Sequence, residues 1–212
     1  ASVALTLSTL PALADITIGV TIPTTGPGAA LGIPLKNSIE LWPSEIAGEK
    51  VRVILLDDAG DPSLATTNAR RFANDDKADV IIGSALVPGA IAVAGVAAEA
   101  GVPHLVPSPL PPPVAKGWSF VLPQSAELVS RHLFAKMKAD GVKTVGYIGF
   151  SDSYGNQWVD QFKKLGGEYG LNMVVDERFA RPDTSVAGQV LKVVASRPDA
   201  VLIGASGTGA AL

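Results

Sequence analysis

From Asp15 onward, short runs of β-branched and aliphatic residues alternate with longer stretches in which apolar residues recur at helical spacing. The runs predict strands over 16–22, 51–56, 80–82, 104–106, 145–148, 173–177 and 201–203. The stretches between them predict helices near 32–46, 63–74, 89–100, 126–140, 154–168 and 185–195. The strands are apolar almost throughout, as a parallel sheet covered by helices on both faces requires. Successive βα units joined by right-handed crossovers therefore predict an α/β fold of Rossmann-like lobes with parallel sheets.

The order breaks once. The run Pro107-Ser108-Pro109-Leu110-Pro111-Pro112-Pro113 can form neither a helix nor an inner strand, and residues 118–122 then read as a short extended crossing segment. This predicts a first lobe over 15–121 and a second over 122–212. A polyproline ligand for a recognition domain is the competing reading of the same run. The halves share architecture but no internal repeat.

The start of the chain changes the picture. Ala1 to Leu10 is apolar and uncharged, and Pro11-Ala12-Leu13-Ala14 adds a helix breaker and a small-x-small cleavage pattern. Residues 1–14 are expected to be the remnant of a secretory signal, which would put the mature protein, from Asp15, in the periplasm. An ordinary buried first element is the alternative, and ten apolar residues are too few to span a bilayer. A chain of 212 residues with 47% hydrophobic and 17% charged residues can bury a sizeable core. A net charge of −3 without any basic run gives no field for a phosphate backbone, so nucleic acid is not an expected partner. The absence of cysteine excludes disulfides, thiolate chemistry and Cys-ligated metals.

In parallel sheets, ligands bind beyond the carboxyl ends of the strands, where loops lead into helix N-termini. That rule selects the loop Thr24-Thr25-Gly26-Pro27-Gly28, the loop around Ala85, Leu86 and Val87, the loop with Ser108, Pro109 and Leu110, the segment Ser151-Asp152-Ser153-Tyr154, and Ser206. Pro88 is suited to the first position of the helix after Val87, where an anion could meet backbone N–H donors. Asp152 or Ser153 reads better as a helix cap than as a ligand contact, whereas Tyr154 could cover a guest or pack between lobes.

Asp57, Asp58 and Asp61 resemble a carboxylate cluster, but Asp61 before Pro62 is a natural cap and no histidine is near, so no metal is expected. His104 and His132 stand far apart outside any metal-binding spacing. Gly149-Phe150-Ser151-Asp152-Ser153 misses the final glycine of a nucleophile elbow, and neither a dinucleotide fingerprint nor a P-loop is present. No catalytic residue and no cofactor are expected.

Several segments in order resemble the type I periplasmic binding proteins of the branched-chain amino acid branch. They are Ile16-Thr17-Ile18-Gly19 with Thr25-Gly26-Pro27 and Gly32, Asp57-Asp58-Ala59-Gly60-Asp61-Pro62, and Val80-Ile81-Ile82-Gly83. The series continues through Ala97-Ala98-Glu99-Ala100-Gly101-Val102-Pro103, Asp152-Ser153-Tyr154-Gly155 and Pro198-Asp199-Ala200-Val201. The resemblance implies a two-lobed solute-binding protein of an ABC importer that traps a small molecule between its lobes, hands it to membrane permease subunits and catalyses nothing. The family normally continues well past the position of Leu212, so this sequence is expected to be either a fragment or a truncated product, with the second lobe incomplete and the family's acidic ammonium-binding residue in the missing part.

In that family, hydroxyl and backbone groups after the third and fourth strands hold the amino acid, and a tyrosine at the position of Tyr154 closes from the second lobe. The hydroxyl positions correspond to Val87 and Leu110, and an aromatic position to Leu31; all three are aliphatic here. Each lost hydrogen bond costs roughly 0.5–1.5 kcal/mol. The expected ligand is therefore an apolar or aromatic carboxylate, with a branched-chain amino acid as the alternative, held among Leu31, Ala85, Leu86, Val87, Ser108, Pro109, Leu110, Tyr154 and Ser206. The rival readings are a ligand sensor of the same fold feeding a regulator and an α/β hydrolase resting on Ser151 alone.

Overall fold

Two sheets, each built around a central parallel strand, organise the computed structural model, which describes residues 15–111 and 117–212. The signal expected over 1–14, and Pro112 and Pro113 of the proline run, lie outside the described residues.

In the first sheet β1 (Ile16–Ile22) lies between β3 (Glu49–Asp57) and β4 (Val80–Gly83), all parallel. β5 (His104–Val106) and β6 (Ser119–Val121) continue in parallel beyond β4, and the short β2 (Glu45–Ile46) pairs antiparallel to the far edge of β3. In the second sheet β7 (Thr144–Phe150) is central, with β8 (Asn172–Phe179) on one side and β9 (Ala200–Gly204) on the other, again parallel. The helices are α1 (Ala29–Ile39), α2 (Pro62–Asn74), α3 (Val87–Ala100), α4 (Ala126–Ala139), α5 (Ser153–Leu165) and α6 (Ala187–Ala195). The α/β class with parallel sheets follows directly.

Local chemistry sets the boundaries. The helix expected to reach residue 46 stops at Ile39: Pro43 lacks the N–H that a continued helix would use, and Ala47 and Gly48 take φ of 54° and 87°. That turn folds β2 back onto the start of β3. α3 begins at Val87, so Pro88 is its second residue rather than its first. Residues 118–122, expected to cross between lobes, instead contain β6, whose Ser119 pairs with His104 at the edge of the first sheet. The helix expected over 154–168 tightens at Gly166 into a 3-10 turn, Gly166–Tyr169.

Each sheet has its own core. Phe72 from α2 is fully buried with Ala65, Ala69, Ile81, Val93 and Val96 beneath α2 and α3. In the second sheet Tyr147 and Phe134 are fully buried with Phe162, Leu165 and Leu202. The Tyr147 hydroxyl donates to the carbonyl of Gly155 at 2.9 Å, satisfying its one buried polar atom.

His104 shows how a buried polar residue joins the strands. Its Nε2 faces the Gly83 carbonyl, which can only accept, so Nε2 carries the proton and Nδ1 accepts from Ser119 Oγ at 2.9 Å. Burial holds its pKa below the ordinary histidine value, although the bond to Gly83 opposes this. The folded state therefore favours neutral His104, and below the unfolded value of about 6.5 the unfolded chain binds the extra proton. Stability present above pH ~6.5 is expected to fall as pH drops through that value toward the lower folded pKa, with a slope of at most about 1.4 kcal/mol per pH unit. Urea titrations between pH 7.5 and 5 check this against His104→Asn, whose profile should be flatter; equal profiles would remove His104 as the cause.

Candidate functional site

In both sheets the chain order reverses beside the central strand, and the loops at such a switch point part to leave a crevice. The two crevices face each other and share a cavity of about 300 Å³. From the first sheet, Leu31 and Leu35 of α1 follow β1, Ala85, Leu86 and Val87 follow β4, and Pro107, Ser108 and Pro109 follow β5. From the second, Tyr154 follows β7, Arg181 follows β8 and Ser206 follows β9. All these residues lie beyond a strand's carboxyl end, so the wall is made of loops and the N-terminal turns of helices.

Eight of the nine sequence-derived candidates line this cavity: Leu31, Ala85, Leu86, Val87, Ser108, Pro109, Tyr154 and Ser206. Leu110 does not. It is 6% exposed and packs against Ala90 and Val106 beneath the loop, because the chain turns inward there and its apolar side chain is worth more in the core than at a solvated wall. Ser108 donates to the Ser84 carbonyl at 3.2 Å, so its hydroxyl ties the β4 and β5 loops together at the edge of the cavity.

Leu35, Pro107 and Arg181 are additional wall residues. Leu35 lies one helical turn beyond Leu31, and Pro107 adjoins Ser108, so spacing could have found both. Arg181 belongs to no motif. Applying the strand-end rule to β8, as to the other strands, would have selected it.

Among the described residues of this wall, Arg181 is the one that carries a charge. Its Nε donates to Asp152 Oδ2 at 2.5 Å, and its guanidinium carbon lies 4.1 Å from the Phe150 ring centroid and 6.0 Å from that of Tyr154. Asp152 caps α5 by accepting from the backbone N–H groups of Tyr154 (2.9 Å) and Gly155 (3.3 Å). Arg181 also borders two flanking recesses, one beside Gly26, Pro27 and Ala30 and one beside Gly60, Pro88 and Ser151.

The acidic loop after β3 supports this wall from behind. Burial raises the Asp57 carboxyl, but hydrogen bonds from the Thr25 hydroxyl and from Ala59, Thr24 and Thr25 N–H outweigh it and hold the pKa below the ordinary range. Asp58 is fully buried, and burial pushes its carboxyl up against hydrogen bonds from Ser84, Gly60 and Thr21. Asp61 caps α2 through Ser63 N–H at 2.6 Å. These carboxylates are spent on loop geometry. Ser151 is exposed, while His104 is engaged at both ring nitrogens and His132 bonds the Leu128 carbonyl of its own helix.

The family profile described as periplasmic binding protein matches residues 15–212. Among curated proteins, a Leu/Ile/Val-binding protein of Rhizobium johnstonii is 30% identical over 204 residues, which is 90% of this chain and 54% of the relative. Among solved structures, an extracellular ligand-binding receptor from Rhodopseudomonas palustris HaA2 is 57% identical, with a TM-score of 0.90 over 94% of this chain and 56% of that one. A solute-binding protein of an ABC transporter from Rhodopseudomonas palustris BisB5, in complex with 3,4-dihydroxybenzoic acid, is 25% identical with a TM-score of 0.82, over 89% and 54%. The chain thus spans a little over half the length of the relatives it matches.

Proposed function

We propose, from the premise that this chain belongs to the periplasmic binding protein family, in the branch that includes Leu/Ile/Val-binding proteins, that it is the solute-binding part of an ABC importer. Residues 15–121 and 122–212 act as two lobes that enclose a small organic acid, deliver it to membrane permease subunits in the periplasm and carry out no reaction. The observation that carries this reading is the cavity of about 300 Å³ walled from the strand ends of both sheets. Its wall of Leu31, Leu35, Val87 and Pro109 suits an apolar body, and burying about 100 Å² of an aromatic ring there contributes roughly 2.5 kcal/mol.

The relative in complex with 3,4-dihydroxybenzoic acid supports an aromatic acid, and the Leu/Ile/Val-binding relative supports an amino acid. The aliphatic residues at Leu31 and Val87 favour the first, since they offer a zwitterion no hydroxyl. Thermal melts of the full-length protein with benzoate, 3,4-dihydroxybenzoate, hexanoate, leucine and valine test the reading. A bound ligand at a hundred times its Kd stabilises the folded state by about 2.7 kcal/mol, seen as a Tm rise of several degrees. The expected result is a rise with at least one acid; no rise with any of the five would defeat the proposal.

A further inference from the structure

We propose that Arg181 reads the charge of the guest, so that the cavity selects a carboxylate on an apolar or aromatic body over a zwitterion; this deepens, and rests on, the binding role proposed above. Arg181 has five N–H groups. Nε–H is spent on Asp152, and among the described residues the Nη groups have no hydrogen-bond acceptor. Its side chain is only 14% exposed, and a cation so nearly withdrawn from water beside Leu31, Leu35 and Val87 is costly unless its donors are met. A carboxylate laid across the Nη1 and Nη2 edge meets them with charge-assisted hydrogen bonds.

The side chain is held ready for that contact. Asp152 fixes Nε, Asp152 is itself fixed by the first turn of α5, and the Phe150 ring supports one side of the guanidinium. A rigid donor loses little freedom on binding, so more of the interaction reaches the affinity. The same arrangement disfavours an ammonium group. The neighbouring carboxylate, Asp152, already accepts from Arg181 and two backbone N–H groups, and the rest of the described wall is aliphatic or hydroxyl-bearing. Among the described residues, a zwitterion's cation would stand next to Arg181 with no carboxylate of this wall free to meet it.

Calorimetric titration of the full-length protein with benzoate, 3,4-dihydroxybenzoate and hexanoate, with their primary amides and with leucine, tests this. The wild type is expected to bind the best acid at least tenfold more tightly than its amide. Arg181→Met is expected to weaken the acid by roughly 10- to 100-fold, the loss of a hydrogen bond to a charged group, and to change the amide less than threefold. Arg181→Lys should keep part of the preference, and circular dichroism checks that each variant is folded. Equal losses for acid and amide would make Arg181 a structural prop and overturn the proposal, as would a wild type that prefers leucine or does not distinguish acid from amide. Leucine or an amide binding where no acid does overturns this proposal while leaving the binding role standing; if nothing in the panel binds, the binding role itself fails and this proposal with it.

Discussion

Gly83→Ala is expected to cost on the order of 4 kcal/mol of stability and to remove ligand binding with it. Gly83 ends β4 with φ of 129°, a region that residues with a side chain rarely enter, and a Cβ there would lie 1.9 Å from the Thr21 carbonyl oxygen. Relief would require β1 and β4 to part, although Thr21 pairs with Gly83 and the Gly83 carbonyl receives His104. The Ala85–Val87 wall hangs from this same residue, so its displacement reaches the cavity directly. Urea unfolding of the variant measures the loss. A change below about 1 kcal/mol would show that the strand ends are looser than the contact implies.

The second large effect is expected at Phe72, and it is coupled to Gly19. Phe72→Ala should cost about 3–5 kcal/mol, because the ring is fully buried and α2 and the sheet can only partly collapse onto the void. Gly19→Ala alone should destabilise too, since its Cβ would lie 2.4 Å from Phe72 Cγ. With both changes the new methyl enters space the ring has left, so the double variant is expected to be more stable than the sum of the single losses predicts, by about 1 kcal/mol or more. Additive losses in a denaturation cycle would mean that Gly19 is required by the backbone and not by the ring.

That the strand-end rule at β4, β5, β7 and β9 selects residues lining the cavity has a local cause. A run such as Val80-Ile81-Ile82 is recognisable without its neighbours, and the residue that follows must leave the sheet at its carboxyl edge. Ala85, Val87, Ser108, Tyr154 and Ser206 were found in this way. Leu110 was misplaced because a proline-rich loop has no period from which to tell an inward from an outward side chain. The helix expected to reach residue 46 ends at Ile39 because Pro43 has no N–H for the Ile39 carbonyl, a stop that apolar spacing does not register.

What the amino-acid order determined alone was therefore the alternation of strands and helices, their parallel arrangement and the loops that had to lie at one edge, since these follow from local periodicity and the chain's handedness. Only the tertiary structure decided which of those loops meet. Val87 and Arg181 are far apart in sequence and come to one cavity because two separately built sheets present their carboxyl edges to each other. The character of Arg181 was likewise decided there, since it takes Asp152, Phe150 and the aliphatic wall together to turn an ordinary loop arginine into a nearly buried cation with donors to spare.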